Sequence, residues 1–395
     1  IGVLRERSVA DAARRDSMGS PITDRRSVPL LAAALNESNP CVRRAGAELL
    51  GRSDAPEALA TLRNAFHGSE GRVREAALLG LGEAEDTASL GDMMRALKDG
   101  DAFVARMAAW ALGEIQDPRS VTPLVDASAG RDAGVRKAAT WALGVLEDPK
   151  AVPAIMARLK DKSWDVRQTA AEALGQLQNK SATMPLVAVL GDESSDVRLA
   201  AVGALGQIQD ARATEAIVRQ LTDNDAGLRE AAVEALGQIQ DRKAEPGLSH
   251  ALSDHDAGVR KAAAEALGQV QDPRAADALA AALADPVPGV RESAAEALGR
   301  LDGLEHAPVA LGAALKDSHM SVRKAAAEAL GQIHDPSSVA ALGGAFRDSD
   351  RETRRAIIEA LGEIHDEAAQ PYLVTAMKDE DPQIRRSAAE ALGQK

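Results

Sequence analysis

A chain of 395 residues ordinarily predicts two or three globular domains, but this one is alanine-rich, has only 2% aromatic residues, and carries a net charge of −13 with a pI near 5.2. That acidic balance argues against a nucleic-acid-binding surface, which rests on clustered Lys and Arg. The single cysteine, Cys41, rules out a disulfide framework or a thiolate metal site within one chain, and no apolar run reaches the ~18 residues of a membrane insertion.

Residues 1–27 differ from the rest of the chain. Six arginines (Arg5, Arg7, Arg14, Arg15, Arg25, Arg26) outweigh Glu6, Asp11, Asp16 and Asp24, a local charge of +2. Ser8 to Met18 is expected to form one helix, either a cap on the segment behind it or a linker from a preceding domain. The first residue is Ile1, which fits a processed terminus or excision from a longer chain. No secretory signal is visible, and cytoplasm and periplasm both fit.

From residue 28 onward the chain repeats. Leu50-Gly51, Leu81-Gly82, Leu112-Gly113 and their successors recur every 31 residues as far as Leu298-Gly299. One step of 32 leads to Leu330-Gly331, and Leu361-Gly362 and Leu392-Gly393 return to 31. Twelve such units fill residues 28–395. Self-similarity of this length marks a solenoid, in which each unit buries its apolar face only against its neighbours.

Residues 241–271 show the unit. Ala244, Leu248, Ala251 and Leu252 recur at three- and four-residue steps and predict a short amphipathic helix, A. Ser253 to Asp256 is a polar turn, with Asp256 as N-cap of a second helix, B. Val259, Ala262, Ala263, Ala266, Leu267 and Val270 share one face of B, and Asp272-Pro273 closes the unit. Gly268 falls inside helix B, where glycine costs about 1 kcal/mol against alanine. Such a cost repeated in every unit predicts a neighbouring helix too close for a Cβ.

The units "DAGVRKAAAEALGQVQDPRAADALAAAL" (256–283) and "DVRQTAAEALGQLQN" (165–179) resemble HEAT repeats of the short bacterial kind also seen in phycobilin lyase subunits. The resemblance covers residues 28–395. It implies an all-α solenoid, a right-handed superhelix of antiparallel helix pairs with the B helices on its concave face. It also implies that the arginine after the first valine of helix B joins a ladder of polar contacts between repeats. On that basis Arg136, Arg167, Arg198, Arg229, Arg260, Arg291 and Arg323 are structural. In repeat 3 the run Phe103-Val104-Ala105-Arg106 moves the arginine on by one, so an interruption is expected there.

Differences between units carry the functional signal. With that valine as position 0, position 6 points away from the apolar face and is glutamate in eight of twelve repeats. The exceptions are Leu79, Trp110, Trp141 and Gly203. Trp164, at the start of helix B in repeat 5, is the third tryptophan of the chain. Leu79, Arg106, Trp110, Lys137, Trp141 and Trp164 therefore form a candidate partner-binding patch, an aromatic anchor rimmed by charge. A structural alternative stands beside it. Arg106 and Lys137 lie four residues before Trp110 and Trp141, and each indole could pack under its own cation or between repeats.

Elsewhere the glutamates have i,i+4 cations: Lys261 with Glu265, Lys324 with Glu328, Arg355 with Glu359 and Arg386 with Glu390. Glu230 with Glu234, and Glu292 with Glu296, place like charges together, where a basic partner segment would fit. His334 and His365 share a register usually held by Gln, so a helix-end hydrogen-bonding role outweighs metal ligation. No zinc-protease, phosphate-loop or nucleophile-elbow motif occurs.

These features predict a non-enzymatic protein-interaction scaffold, with no cofactor or metal, that binds a protein or peptide partner on its B-helix face. Two alternatives arise from the resemblance: a sensing or regulatory region of a larger bacterial membrane receptor-peptidase, and a bilin-lyase-like chromophore-handling subunit. Repeat 12 keeps Ile384, Ala388 and Leu392 in the core register, so its outer flank is expected to support end-to-end homo-oligomers through the terminal repeats.

Overall fold

The structure, a computed structural model, describes residues 25–348 and 350–393. The Ser8–Met18 helix and nearly all of the 1–27 arm lie outside the described residues. The described chain contains no strand and twelve A/B helix pairs, with a division into two compact units between Ile208 and Gln209. Six pairs fall on each side. In the first unit helix B of repeat 4 is Ala133–Val145 and that of repeat 5 is Trp164–Leu177. In the second, helix B of repeat 8 is Ala257–Val270.

Local chemistry sets the ends of each pair. Asp132 accepts the amide of Val135 at 2.9 Å, and Asp256 accepts those of Gly258 and Val259 at 2.7 and 3.3 Å. These are N-caps that satisfy orphan donors of the first turn. Helix B most often ends on a residue with left-handed backbone, and that residue is not glycine. Glu85, Gln116, Glu147, Gln178, Gln209, Gln240, Gln271, His334 and His365 have φ between 48° and 56°. A non-glycine residue there is strained. Side-chain bonds help offset the strain: Gln271 Nε2 donates to the Arg300 carbonyl of the next repeat at 3.1 Å. His334 Nδ1 lies 2.7 Å from the Gln332 carbonyl and His365 Nδ1 2.5 Å from that of Glu363, so both histidines turn back onto their own helix ends.

The core is thin and regular. The leucine of each Leu-Gly pair is fully or nearly fully buried from Leu50 to Leu361, with Val, Ala and the A-helix leucines filling around it. The next residue explains the recurrent glycine. A Cβ on Gly237 would stand 3.1 Å from Ala266 Cα, and one on Gly268 would stand 3.0 Å from Ala297 Cα. Gly175 meets Ala204 in the same way in the first unit. The glycine of one helix B thus faces the alanine two residues before the Leu-Gly glycine of the next.

This geometry separates two kinds of glycine in the same helix. Gly237→Val should destabilise by about 1–3 kcal/mol through overpacking, against a helix-propensity gain of a few tenths. Gly203, at position 6, has no atom within 4 Å of its would-be Cβ. Gly203→Ala should therefore stabilise by about 0.5–1 kcal/mol. Urea denaturation of both variants checks the pair, and an equally stable Gly237→Val protein would mean that the helices are free to separate.

Candidate interaction surface and the arginine ladder

The position-1 arginines contact adjoining repeats through one recurring arrangement. Arg136 donates to Asp161 through Nε and Nη2 at 2.7 and 2.6 Å. The carbonyl of that same Asp161 accepts Nη1 of Arg167 at 2.9 Å. Arg167 in turn grips Asp192 at 2.7 and 2.8 Å, and the Asp192 carbonyl accepts Arg198 Nη1 at 3.0 Å. In the second unit Arg229 pairs with Asp254, Arg260 with Asp285 and Arg291 with Asp317, each with a shortest bond of 2.7 Å. Arg323 reaches Asp350 at 2.5 Å. Each aspartate takes one arginine on its carboxylate, and those from Asp161 to Asp317 take the next on the carbonyl, a forked geometry that guanidinium supplies and ammonium does not.

At repeat 3 both halves of the pair are gone. Ala105 stands at the arginine position and Gly130 at the aspartate position 25 residues on, the spacing of Arg74 to Asp99 and of Arg136 to Asp161. Arg106 instead lies over the Phe103 ring, 4.8 Å from its centroid. Removing both partners avoids a buried charge with no counter-ion.

Five carboxylates of the ladder, Asp161, Asp192, Asp254, Asp285 and Asp317, titrate low. The Arg291 bonds, opposed by burial and helped by the His319 amide, hold Asp317 at about 2 rather than 3.8. Asp192 and Asp254 are lowered chiefly by their arginines; at Asp161 and Asp285 burial is the largest single influence and pushes upward, but the arginine bonds and the Ser163 and Val287 amides together outweigh it and lower both. A carboxyl depressed in the folded state contributes stability above its unfolded pKa and loses it as pH falls through the folded value. Stability should therefore fall between about pH 4 and pH 2, and Asp317→Asn should flatten part of that slope. Denaturant midpoints measured in that window give the answer, and an unchanged slope would remove Asp317 from the acid response.

The tryptophan patch is assembled differently from simple cation stacking. A Cβ on Gly82 would stand 2.7 Å from Trp110 Cζ3, and one on Gly113 would stand 2.6 Å from Trp141 Cζ3. Each half-buried indole thus lies against the glycine of the preceding repeat. Trp141 does so across the step where the ladder pair is missing. Its other side helps line a shallow cleft with Thr169, Glu172, Ala173 and Gln176 of repeat 5. Among the described residues no cation stands over either indole: Arg106 covers Phe103, and Lys137 Nζ lies 3.8 Å from Asp165. Leu79 is 7% exposed and so is withdrawn from the surface, because its side chain packs into the core.

Two exposed apolar residues extend the face beyond those six. Phe103 is 57% exposed and Leu199 is 45%, beside Trp164 at 47%. They occupy positions −1, 2 and −2 of their helices, within an arc of about 100° that also holds position 6. Confining attention to position 6 missed Phe103 and Leu199; reading positions −2, −1 and 2 in the same register finds them. In the second unit the corresponding face is charged and neutralised. Lys261–Glu265, Lys324–Glu328, Arg355–Glu359 and Arg386–Glu390 pair at 3.5, 3.4, 2.8 and 2.7 Å. Arg300 reaches back to Glu296 at 3.2 Å, which neutralises repeat 9 from a side the i,i+4 reading overlooked. Glu234 keeps its like-charged neighbours, and burial first, then Glu230 and Glu265, raise its carboxyl pKa.

No described helix is long and apolar enough to cross a membrane, and no group of three or more His, Cys, Asp or Glu among the described residues is placed to hold a metal ion. A search of curated proteins finds no match. Among solved structures, importin beta crystallised from ammonium sulfate is similar at TM-score 0.64 and 16% identity, over 98% of this chain and 64% of that one. Yeast importin-beta (Kap95p) is similar at TM-score 0.57 and 16% identity, over 97% of this chain and 63% of that one. The chain thus spans less than two thirds of the length of these two structures, and at such identity the likeness is one of fold. The HEAT-repeat family profile matches residues 9–82, 64–144, 127–193, 152–236, 214–299, 278–356 and 308–393, and the chain belongs to the HEAT-repeat family.

Proposed function

We propose that this protein is a non-enzymatic scaffold that binds a protein or peptide partner on the B-helix face of repeats 3–6. One observation carries the reading: in repeats 3, 4 and 6 Trp110, Trp141 and Gly203 replace the glutamate of the row, and Phe103, Trp164 and Leu199 stand exposed in the same stretch. Aromatic and aliphatic groups flanked by Arg106 and Lys137 suit a partner contact, with rigid anchors inside a polar rim. In a related fold Kap95p binds RanGDP, so a HEAT solenoid is a suitable platform for such contacts.

Trp110 and Trp141 also pack between repeats, so their loss would disturb the fold as well as the surface. The exposed residues separate the two effects. Trp164→Glu with Leu199→Glu should leave the thermal midpoint nearly unchanged. Partner capture by the full chain should fall at least about tenfold, 1.4 kcal/mol. Glu328→Lys, on the charged face, should keep the same partners. Affinity purification with each bait followed by mass spectrometry decides the matter, and identical captured proteins from all three would sink the proposal.

A further inference from the structure

The sequence holds two Asp-Gly dipeptides, Asp99-Gly100 in the first unit and Asp302-Gly303 in the second, and the fold treats them differently. Glycine after aspartate favours ring closure, because a residue without a Cβ leaves its amide nitrogen open to the preceding carboxyl. Closure then depends on how firmly that carboxyl is held. Asp99 is held by the ladder: Arg74 Nη2 donates to its two carboxylate oxygens at 2.9 and 3.1 Å. Asp99 Oδ1 also accepts the Asp101 amide at 2.9 Å, and the side chain is 21% exposed. Turning Asp99 Cγ onto the Gly100 nitrogen would break these bonds, two of them to a guanidinium.

Asp302 stands in the one 32-residue step of the array. Helix B of repeat 9 ends at Arg300, and helix A of repeat 10 begins only at Val309. The short 3-10 turn that leads into helix A of repeat 9, Pro273–Ala275, has no counterpart there, and residues 301–308 form a loop instead. Asp302 and Gly303 make an exposed turn in it. Gly303 has φ +68°, a left-handed backbone that glycine adopts without steric cost, and nothing lies within 4 Å of its would-be Cβ. Among the described residues the Asp302 carboxylate, 63% exposed, bonds only to Arg242 Nη2 at 3.3 Å. An exposed pair of this kind holds weakly, so the carboxyl is free to turn and water reaches it.

We propose that Asp302-Gly303 is a site of spontaneous isoaspartate formation in the folded protein, and that the ladder protects Asp99-Gly100 from the same reaction. The Gly303 amide nitrogen attacks Asp302 Cγ. A bond forms between them, and one water leaves with a carboxyl oxygen and the amide proton, which closes a five-membered succinimide. Water then adds back at either carbonyl. Addition at Cγ restores aspartate. Addition at the main-chain carbonyl breaks its bond to the Gly303 nitrogen, so the chain runs through Cβ and Cγ and a free α-carboxylate remains. Nothing is oxidised or reduced, and the mass is unchanged. The main chain becomes one carbon longer just ahead of Ala307, whose amide donates to the Asp335 carboxylate at 2.8 Å, so the change falls where repeat 10 is tied to its own helix B end.

Prolonged incubation of the folded full chain in warm neutral buffer tests this. Peptide mapping with electron-transfer fragmentation locates isoaspartate by cleavage at its Cα–Cβ bond. Isoaspartate should accumulate at Asp302 at least about ten times faster than at Asp99. Incubation in guanidinium chloride releases Asp99 from Arg74 and gives both dipeptides unfolded surroundings, so the two rates should converge. Asp302→Glu keeps a carboxylate for Arg242 but would need a six-membered ring, and it should abolish the signal at that position while leaving Asp99 as before. Equal rates at Asp302 and Asp99 in the folded protein would overturn the proposal. So would a difference that persists in guanidinium chloride, or a signal that survives Asp302→Glu.

Discussion

Everything in this fold depends on how closely successive B helices approach. A Cβ at Gly237 or Gly268 would fall about 3 Å from the next helix, so at these steps the helices touch backbone to side chain. That approach requires glycine at position 9 and a small residue at position 7, and it costs roughly 1 kcal/mol of helix propensity per repeat. A buried leucine returns about 1.5–3 kcal/mol by leaving water. The exchange is favourable only while a neighbour is present, because a lone helix pair would carry the glycine cost and leave its leucine wet. The repeat is thus cooperative by construction, and its stability resides in the contacts between units.

The arginine ladder acts on that contact and does not replace it. An ion pair taken from water gains little net energy over an apolar substitute, yet breaking one partner alone is costly. The chain's substitutions agree with that asymmetry. Where the pair is lost inside the first unit, Ala105 and Gly130 replace donor and acceptor together. Arg43 lacks a carboxylate at position 68, which is glycine, but it lies only half-buried and keeps two backbone carbonyls. Orientation is what the forked bonds contribute. Nε and Nη2 fix one carboxylate while Nη1 fixes a carbonyl of its own repeat, so rotation of one repeat against the next is resisted at a point away from the glycine contact.

How much of this was legible in the sequence depends on the range of each interaction. The Leu-Gly interval, the valine eight residues earlier and the Asp N-caps are local, and they announced twelve helix pairs with their boundaries nearly in place. Glycine's role was legible too, because a penalty repeated in every unit demands a repeated cause. What was hidden depends on side chains reaching across a step. That Gln271 adopts left-handed backbone and caps the next helix at Arg300 is not written in Gln-Asp-Pro. Arg300 neutralises Glu296 from the C-terminal side, so counting cations only upstream gave a false like-charge pair. The indoles of Trp110 and Trp141 rest on a glycine one repeat back and not under the cation four residues before, which spacing within one helix does not reveal.

The same division of labour explains where variation can accumulate. Positions 0, 3, 4, 5, 7, 8 and 9 are held by packing and position 1 by the ladder. Positions 2 and 6 touch neither the core nor the ladder in most repeats. Glutamate with a cation four residues before it keeps such a face wet and neutral at little energetic cost, since exposed pairs contribute only a few tenths of a kcal/mol. Departures at these two positions therefore perturb the array least, and they are free to report a demand other than folding. Trp110 and Trp141 are the instructive exceptions. Their rings reach past position 6 onto the glycine of the preceding repeat, and Trp141 does so at the step of the first unit where ladder donor and acceptor are both replaced. An aromatic side chain there serves the surface and the seam at once, which ties the chemistry of the candidate face to the rigidity of the repeats beneath it.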